Sequence, residues 1–385
     1  MPTSSSSHLP ILLFPACTQY SFFIVPPNSA HNSIPSTWRS FLNLQSSIQN
    51  PLIRSAKKFQ KGTLILPRLK IFPWLSVFTL LVFLTACAST GKPPASALQA
   101  DKTRYAADLA FIASAPRTIV DAHHQAVQDL CAARFSALGF TVERYKYGDG
   151  VDVIGTLPGT GRPDEIVIVS AHYDTIMGGD GADDNASGVA AVLESARLLA
   201  AGKHTRSLVA ACWDEEEPAE TGSYRYASRE KQKGTDIQVA YVYDEIGYSK
   251  DTPNSQKFPA GFKIAYPLQS LQLQANQYRA NFILLVYDQQ AGPWGQAIAK
   301  AAGRENLPAM QLQVNLSGQV PVDLRGSDHN SFWGKDYPAI EITDTAGFRN
   351  PYQHTDKDTL GTLDNNFSVK VITAVVTSAQ AALNP

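Results

Sequence analysis

Ile166-Val167-Ile168-Val169-Ser170-Ala171-His172-Tyr173-Asp174 is the stretch that decides the fold. Six apolar or small residues run without alternation, as in a strand buried on both faces of a sheet, and then stop at His-x-Asp. Working outward, 187–201 carries apolar residues at helical spacing, 207–213 reads as a second strand, 222–232 as a helix and 238–243 as a third strand. Strand, helix, strand, helix, strand is the rhythm of an α/β domain with a mostly parallel sheet. Upstream, 105–115 and 120–138 have helical spacing, with Gly139 stopping the second helix. Residues 140–147 and 151–157 read as strands, and 159–163 as a turn. Downstream, 249–280 breaks the rhythm with Pro253, Pro259, Pro267 and many Gln, so an insertion or flap is expected there. A strand at 281–287, a helix at 294–302, a short strand at 339–343 and a closing helix at 367–383 complete the pattern, and no internal repeat is visible.

In such sheets ligands bind at the carboxyl ends of the strands. Three of the expected strands end in side chains able to hold metal: His172-Tyr173-Asp174, Asp214-Glu215-Glu216-Glu217 and Asp244-Glu245. Between them, Gly181-Ala182-Asp183-Asp184-Asn185-Ala186-Ser187-Gly188 leads into a helix, and Tyr352-Gln353-His354-Thr355-Asp356-Lys357-Asp358 lies far downstream. Taken singly, Asp184 or Ser187 is a natural helix cap and a lone histidine is an ordinary surface or packed residue. Five such groups at three strand ends and two loops make a poor accident.

The ordered set His-x-Asp, Gly-x-x-Asp-Asn-x-Ser-Gly, Glu-Glu before Gly-Ser, Asp-x-Ile-Gly, Ser-Asp-His and a late His with Asp four residues on resembles the M28 zinc exopeptidases, from about Tyr105 to the last helix. The resemblance implies a three-layer α/β/α sandwich around a mixed, mostly parallel sheet. It also implies two zinc ions on His172, Asp184, Glu217, Asp244 and His354. Asp184 matches the bridging carboxylate, with His172 and Asp244 completing one site and Glu217 and His354 the other. Glu216 matches the general base, a register obtained by counting back from Gly222-Ser223, and Asp174 would orient His172. Carboxylate and imidazole donors suit zinc, although cobalt and manganese accept them too. The implied activity is removal of N-terminal residues from peptides. A carboxypeptidase of the same family, with Arg325 or Arg349 on the substrate carboxylate, is the nearest alternative. A single-zinc glutaminyl cyclase would depart from the Asp-Asn-x-Ser-Gly pattern, and an inactive receptor-like ectodomain would lose ligands. One position departs from the family: Gln353 stands before the last histidine where Tyr is common.

Other residues carry less. Ser327-Asp328-His329 lacks the Gly-x-Ser-x-Gly context of a nucleophile and is expected to wall the pocket. His123-His124 are expected to be solvated, and 178–181 to form a flexible loop beside the site.

Composition sets the outer limits. The 385 residues carry a formal net charge of −1, with 33 basic and 34 acidic side chains. Residues 1–87 hold seven basic and no acidic groups, so the remainder has a net charge of about −8. Arg68 and Lys70, an apolar run at 71–84 and Leu84-Thr85-Ala86-Cys87 have the parts of a secretory signal with a bacterial lipobox. The run is shorter than the roughly 20 residues of a membrane span. Residues 1–86 are therefore expected to be leader and signal, 87–100 a flexible tether, and 101–385 the catalytic domain. The protein is then expected on the periplasmic side of the outer membrane, anchored by lipid on Cys87. A transit peptide, or an ordinary buried apolar segment, is the other reading of the acid-free leader. The next methionine after Met1 is Met177, so translation is expected to start at a non-Met codon around 60–70. Cys131 and Cys212 form no disulfide framework and are expected to be small buried residues, although an oxidising compartment would allow them to pair. No long basic patch favours nucleic acid as a partner, a peptide or small amino-acyl compound is the expected substrate, and nothing fixes the oligomeric state.

Overall fold

The computed structural model describes residues 98–316 and 320–385. The leader, the lipobox and residues 87–97 of the tether lie outside the described residues. Leu98 and Ala100 already pack against the core, and Ala100 N donates to Thr373 Oγ1 at 3.1 Å.

Two helices, α1 (Lys102–Ile112) and α2 (Ala122–Ala137), precede strands β1 (Thr141–Tyr147), β2 (Gly150–Leu157) and β3 (Arg162–His172). Then come α3 (Gly188–Ala200), β4 (Arg206–Trp213), the single turn α4 (Glu216–Ala219), α5 (Thr221–Lys233) and β5 (Asp236–Asp244). Two short helices, α6 (Phe262–Ala265) and α7 (Pro267–Ala275), lead to β6 (Ile283–Asp288), α8 (Gly292–Arg304), β7 (Ala309–Val314), α9 (His329–Trp333), β8 (Ala339–Thr343) and α10 (Asn365–Leu383). Strand β7 is not among those read from the sequence.

The eight strands form one sheet in the order β1-β2-β4-β3-β5-β8-β6-β7. Its centre, β4-β3-β5-β8, is parallel; β2 meets β4 and β6 meets β8 antiparallel. Alternation along each strand divides the side chains between two layers. Val167, Val169, Ala210, Tyr241 and Ile342 face α1, α2, α3, α8 and α10. Ile168, Ala211, Trp213 and Val242 face α5 and α9. Helix α3 is buried along nearly its whole length, which explains why it is apolar on most sides. This is the α/β/α sandwich with a mixed sheet expected above.

The 249–280 segment lies along the β6–β7 edge. Leu273 packs with Phe282 and Met310, and Gln256 Nε2 donates to Thr345 Oγ1 at 2.8 Å.

Register places the site. His172 pairs with Trp213 across β3 and β4, and Ser170 with Val242 across β3 and β5, which puts Asp244 level with His172. Neighbouring parallel strands lie about 4.8 Å apart, so three strand ends converge on one sheet edge.

Candidate metal centre

Two triplets form at that edge, with the ligand atoms of each within 4.8 Å of one another: His172, Asp184 and Asp244, and Asp184, Glu217 and His354. Asp184 belongs to both. His172 Nε2 is 3.4 Å from Asp184 Oδ1 and 3.5 Å from Asp244 Oδ1. His354 Nε2 is 3.0 Å from Asp184 Oδ2 and 3.4 Å from Glu217 Oε2. All five residues read from the sequence therefore come together. The donor set is nitrogen and oxygen without sulfur, and Asp244 Oδ1 is buried with no hydrogen-bond partner, so the arrangement fits zinc. His172 and Asp184 are buried, whereas His354 reaches out to solvent.

The supporting residues come from local chain geometry. Asp174, two residues past the end of β3, accepts Glu216 N at 3.1 Å and Glu217 N at 3.2 Å, and its Oδ1 lies 3.4 Å from His172 Nδ1. One carboxylate thus fixes the start of α4 and faces the far side of the His172 ring. Residues 182–187 lead into α3 through a kink, with Asp184 and Asn185 out of helical backbone, and Asn185 Oδ1 accepts Gly188 N at 3.0 Å. Asn185, not Ser187, therefore supplies the side-chain acceptor at the start of α3. Asp358 accepts Asp183 N and Asp184 N, so the late His-x-x-x-Asp motif serves Asp184 twice: His354 meets its side chain and Asp358 its backbone. Glu215, Glu245 and His354 all take left-handed backbone, at φ 55°, 51° and 56°. The chain thus turns sharply just before Glu216 and Glu217, just after Asp244, and at His354 itself.

Glu216 stands outside both triplets, with Oε2 3.9 Å from His172 Nε2. Burial raises its carboxyl well above the usual range; His172 opposes this, and Asp244 and Asp328 add to it. Burial also raises Glu217. Burial alone would lower His172, but Glu216, Asp174, Asp184 and Asp244 outweigh it and hold the imidazole above its ordinary value. Hydrogen bonds to Asp184 and Glu217 push His354 up to about 10. Asp184, despite burial, is held below its usual range by His172 and His354. Facing carboxylates, the two imidazoles favour the protonated form, so a cation entering between them would displace protons.

Several expectations need correction. His124 is buried, not solvated: Nε2 lies 2.8 Å from Asp214 Oδ1, because positions 124, 127, 128 and 131 share the core face of α2. Arg349 is also interior, donating through Nε to Gln256 Oε1 and Thr345 Oγ1. The buried Arg117 guanidinium donates to Tyr173 O and Ile112 O and holds the end of the 178–181 loop through Asp180 O and Gly181 O, while Gly178 at its start is exposed. Ser327, Asp328 and His329, expected to wall the pocket, are entirely buried, and the Asp328 charge acts on Glu216, so that expectation needs no correction. Gln353 Nε2 donates to Glu245 Oε1 at 2.7 Å, so its amide is engaged with a neighbouring acid. Arg117 and the Asp214–His124 pair were not singled out from the sequence.

The family model described as peptidase family M28 matches residues 152–379. The chain belongs to that family. It is 32% identical over 227 residues to the uncharacterized protein YfbL of Escherichia coli (strain K12), covering 55% of this chain and 65% of that protein. It is 33% identical over 134 residues to leucine aminopeptidase 1 of Ajellomyces capsulatus (strain NAm1 / WU24), covering 31% of this chain and 34% of that one. The matched stretches thus span less than two thirds of either relative. The fold also resembles the LapA aminopeptidase of Legionella pneumophila, with a TM-score of 0.56 and 18% identity over 74% of this chain and 72% of that one.

Proposed function

We propose that the chain is a two-zinc exopeptidase of the aminopeptidase kind. The observation that carries this reading is Asp184, one carboxylate with an oxygen turned to each of two ligand triplets. His172, Asp184 and Asp244 would hold one ion, and Asp184, Glu217 and His354 the other. When bound, zinc supplies Lewis acidity, polarising a peptide carbonyl and acidifying water. Glu216 Oε2, kept out of the ligand set, accepts a proton from the attacking water and returns it to the leaving amine. Burial raises its carboxyl above the usual range, the direction that strengthens it as a proton acceptor. Asp174 holds Glu216 and Glu217 in register by taking both of their backbone N–H groups.

The carboxylates of Asp244 and Glu216 at the site favour a free α-amino group over a carboxylate. Of the two arginines offered for the carboxypeptidase reading, Arg349 is interior and only Arg325 remains exposed. The likeness to a relative named leucine aminopeptidase points the same way. Export with a lipid anchor on Cys87 belongs to the same proposal and rests on the leader sequence alone. Dipeptides blocked at either end test the reading. C-blocked substrates should be cleaved and N-acetylated ones spared. The opposite pattern would make the protein a carboxypeptidase, and ammonia release from N-terminal Gln would make it a cyclase.

A further inference from the structure

Helix α2 presents three residues, spaced by four and then three positions, to the carboxyl ends of β3 and β4. His124 meets Asp214, Gln128 Nε2 donates to Tyr173 Oη at 2.7 Å, and Cys131 meets Cys212. The two cysteines are entirely buried, and their Sγ atoms lie 2.8 Å apart. Both are free cysteines in this structure, the two of the described residues, with Val127 and Phe135 beside them in the same core cluster. At 2.8 Å the two sulfurs are closer than a thiol–thiol hydrogen bond requires and still beyond bonding distance. A bond of about 2.05 Å needs only a small further approach of the two side chains.

We propose that Cys131 and Cys212 are joined by a disulfide that pins α2 to β4 beneath the turn carrying Glu216 and Glu217. The oxidant is a disulfide of the surroundings, either oxidised glutathione or the oxidised dithiol of a folding catalyst. Two S–H bonds break, one Sγ–Sγ bond forms, and the two electrons and two protons reduce the oxidant to two thiols. Burial pushes the Cys212 thiol well up and closes it to solvent, so the exchange takes place as the chain folds. The bond closes a loop of about 80 residues, a length at which a cross-link restricts the unfolded chain considerably.

The test uses the full chain, unfolded and reduced, then refolded in mixed reduced and oxidised glutathione. The soluble fraction is alkylated in denaturant without reductant and digested. The expected result is a linked peptide pair containing Cys131 and Cys212, two mass units lighter than the two free peptides. The melting temperature should also fall by roughly 10 °C when reductant is added. The Cys131→Ala variant should lose this sensitivity to reductant. Alkylation of both cysteines in most molecules, or pairing of either with Cys17 or Cys87, would overturn the proposal. Peptide mapping reads the wild-type chain, so it holds even where the variant folds poorly.

Discussion

Asp174→Asn removes one negative charge without changing the shape of the side chain. In the native site its two oxygens accept Glu216 N at 3.1 Å and Glu217 N at 3.2 Å, and the same carboxylate faces His172 Nδ1 at 3.4 Å. An asparagine keeps one oxygen acceptor and turns an NH2 donor toward either a backbone N–H or the imidazole. One charge-assisted hydrogen bond is lost, worth about 1.5–3 kcal/mol, and the ring of a proposed zinc ligand loses its orienting partner. Loss of such an orienting group weakens metal binding about 10- to 100-fold, equivalent to roughly 1.4–2.8 kcal/mol. Competition against a chromophoric chelator measures zinc affinity, and urea unfolding of the metal-free chain measures the structural share. Affinity should fall in that range while the metal-free stability drops by no more than about 3 kcal/mol. Unchanged zinc affinity would refute the argument that Asp174 joins the β3 and β4 ends of the site.

Three further outcomes follow from the geometry. Asp214→Ala leaves His124, Tyr173 Oη and the N–H groups of Val151 and Glu215 without their acceptor and should cost roughly 3–5 kcal/mol in urea unfolding. Arg117→Met removes the donor to three buried carbonyls and one half-buried one and should cost at least about 3 kcal/mol, with new proteolytic cleavage in 175–181. Burial pushes the Glu341 carboxyl up to about 8, against 4.5 for the unfolded group. The native state then keeps a proton that the unfolded chain releases between those values, so Glu341 lowers stability as pH rises through the window. Glu341→Gln should therefore be more stable relative to wild type at pH 8 than at pH 5, by up to a few kcal/mol, in urea midpoints at the two pH values.

The parts of the fold legible in the sequence were those written locally. Strand β3 is a continuous apolar run with its ligand attached, and the Asp183–Ser187 turn leads directly into an apolar helix, so both element and site residue are visible in a few positions. Strand β7 alternates Met310, Leu312 and Val314 with Gln, a weaker signal typical of a strand at the sheet edge. What the sequence hides is pairing at long range. His124 looks like a surface histidine until Asp214, 90 positions away, is placed against it. Gln353 reads as a substitution in a metal loop until Glu245, 108 positions away, takes its amide. The register at Glu215-Glu216-Glu217 is ambiguous by spacing alone. In the fold, the left-handed Glu215 starts the α4 turn and delivers Glu217, not Glu216, to Asp184 and His354.

The central claim is tested most directly by counting zinc on the wild-type chain and on three variants, with hydrolysis of leucine p-nitroanilide measured alongside. The account predicts two ions on wild type, one on His354→Ala and one on Asp244→Ala, and two on Glu216→Gln, whose activity falls about 100- to 10,000-fold. No bound zinc on wild type, or loss of an ion on Glu216→Gln with both ions retained on His354→Ala, would contradict it.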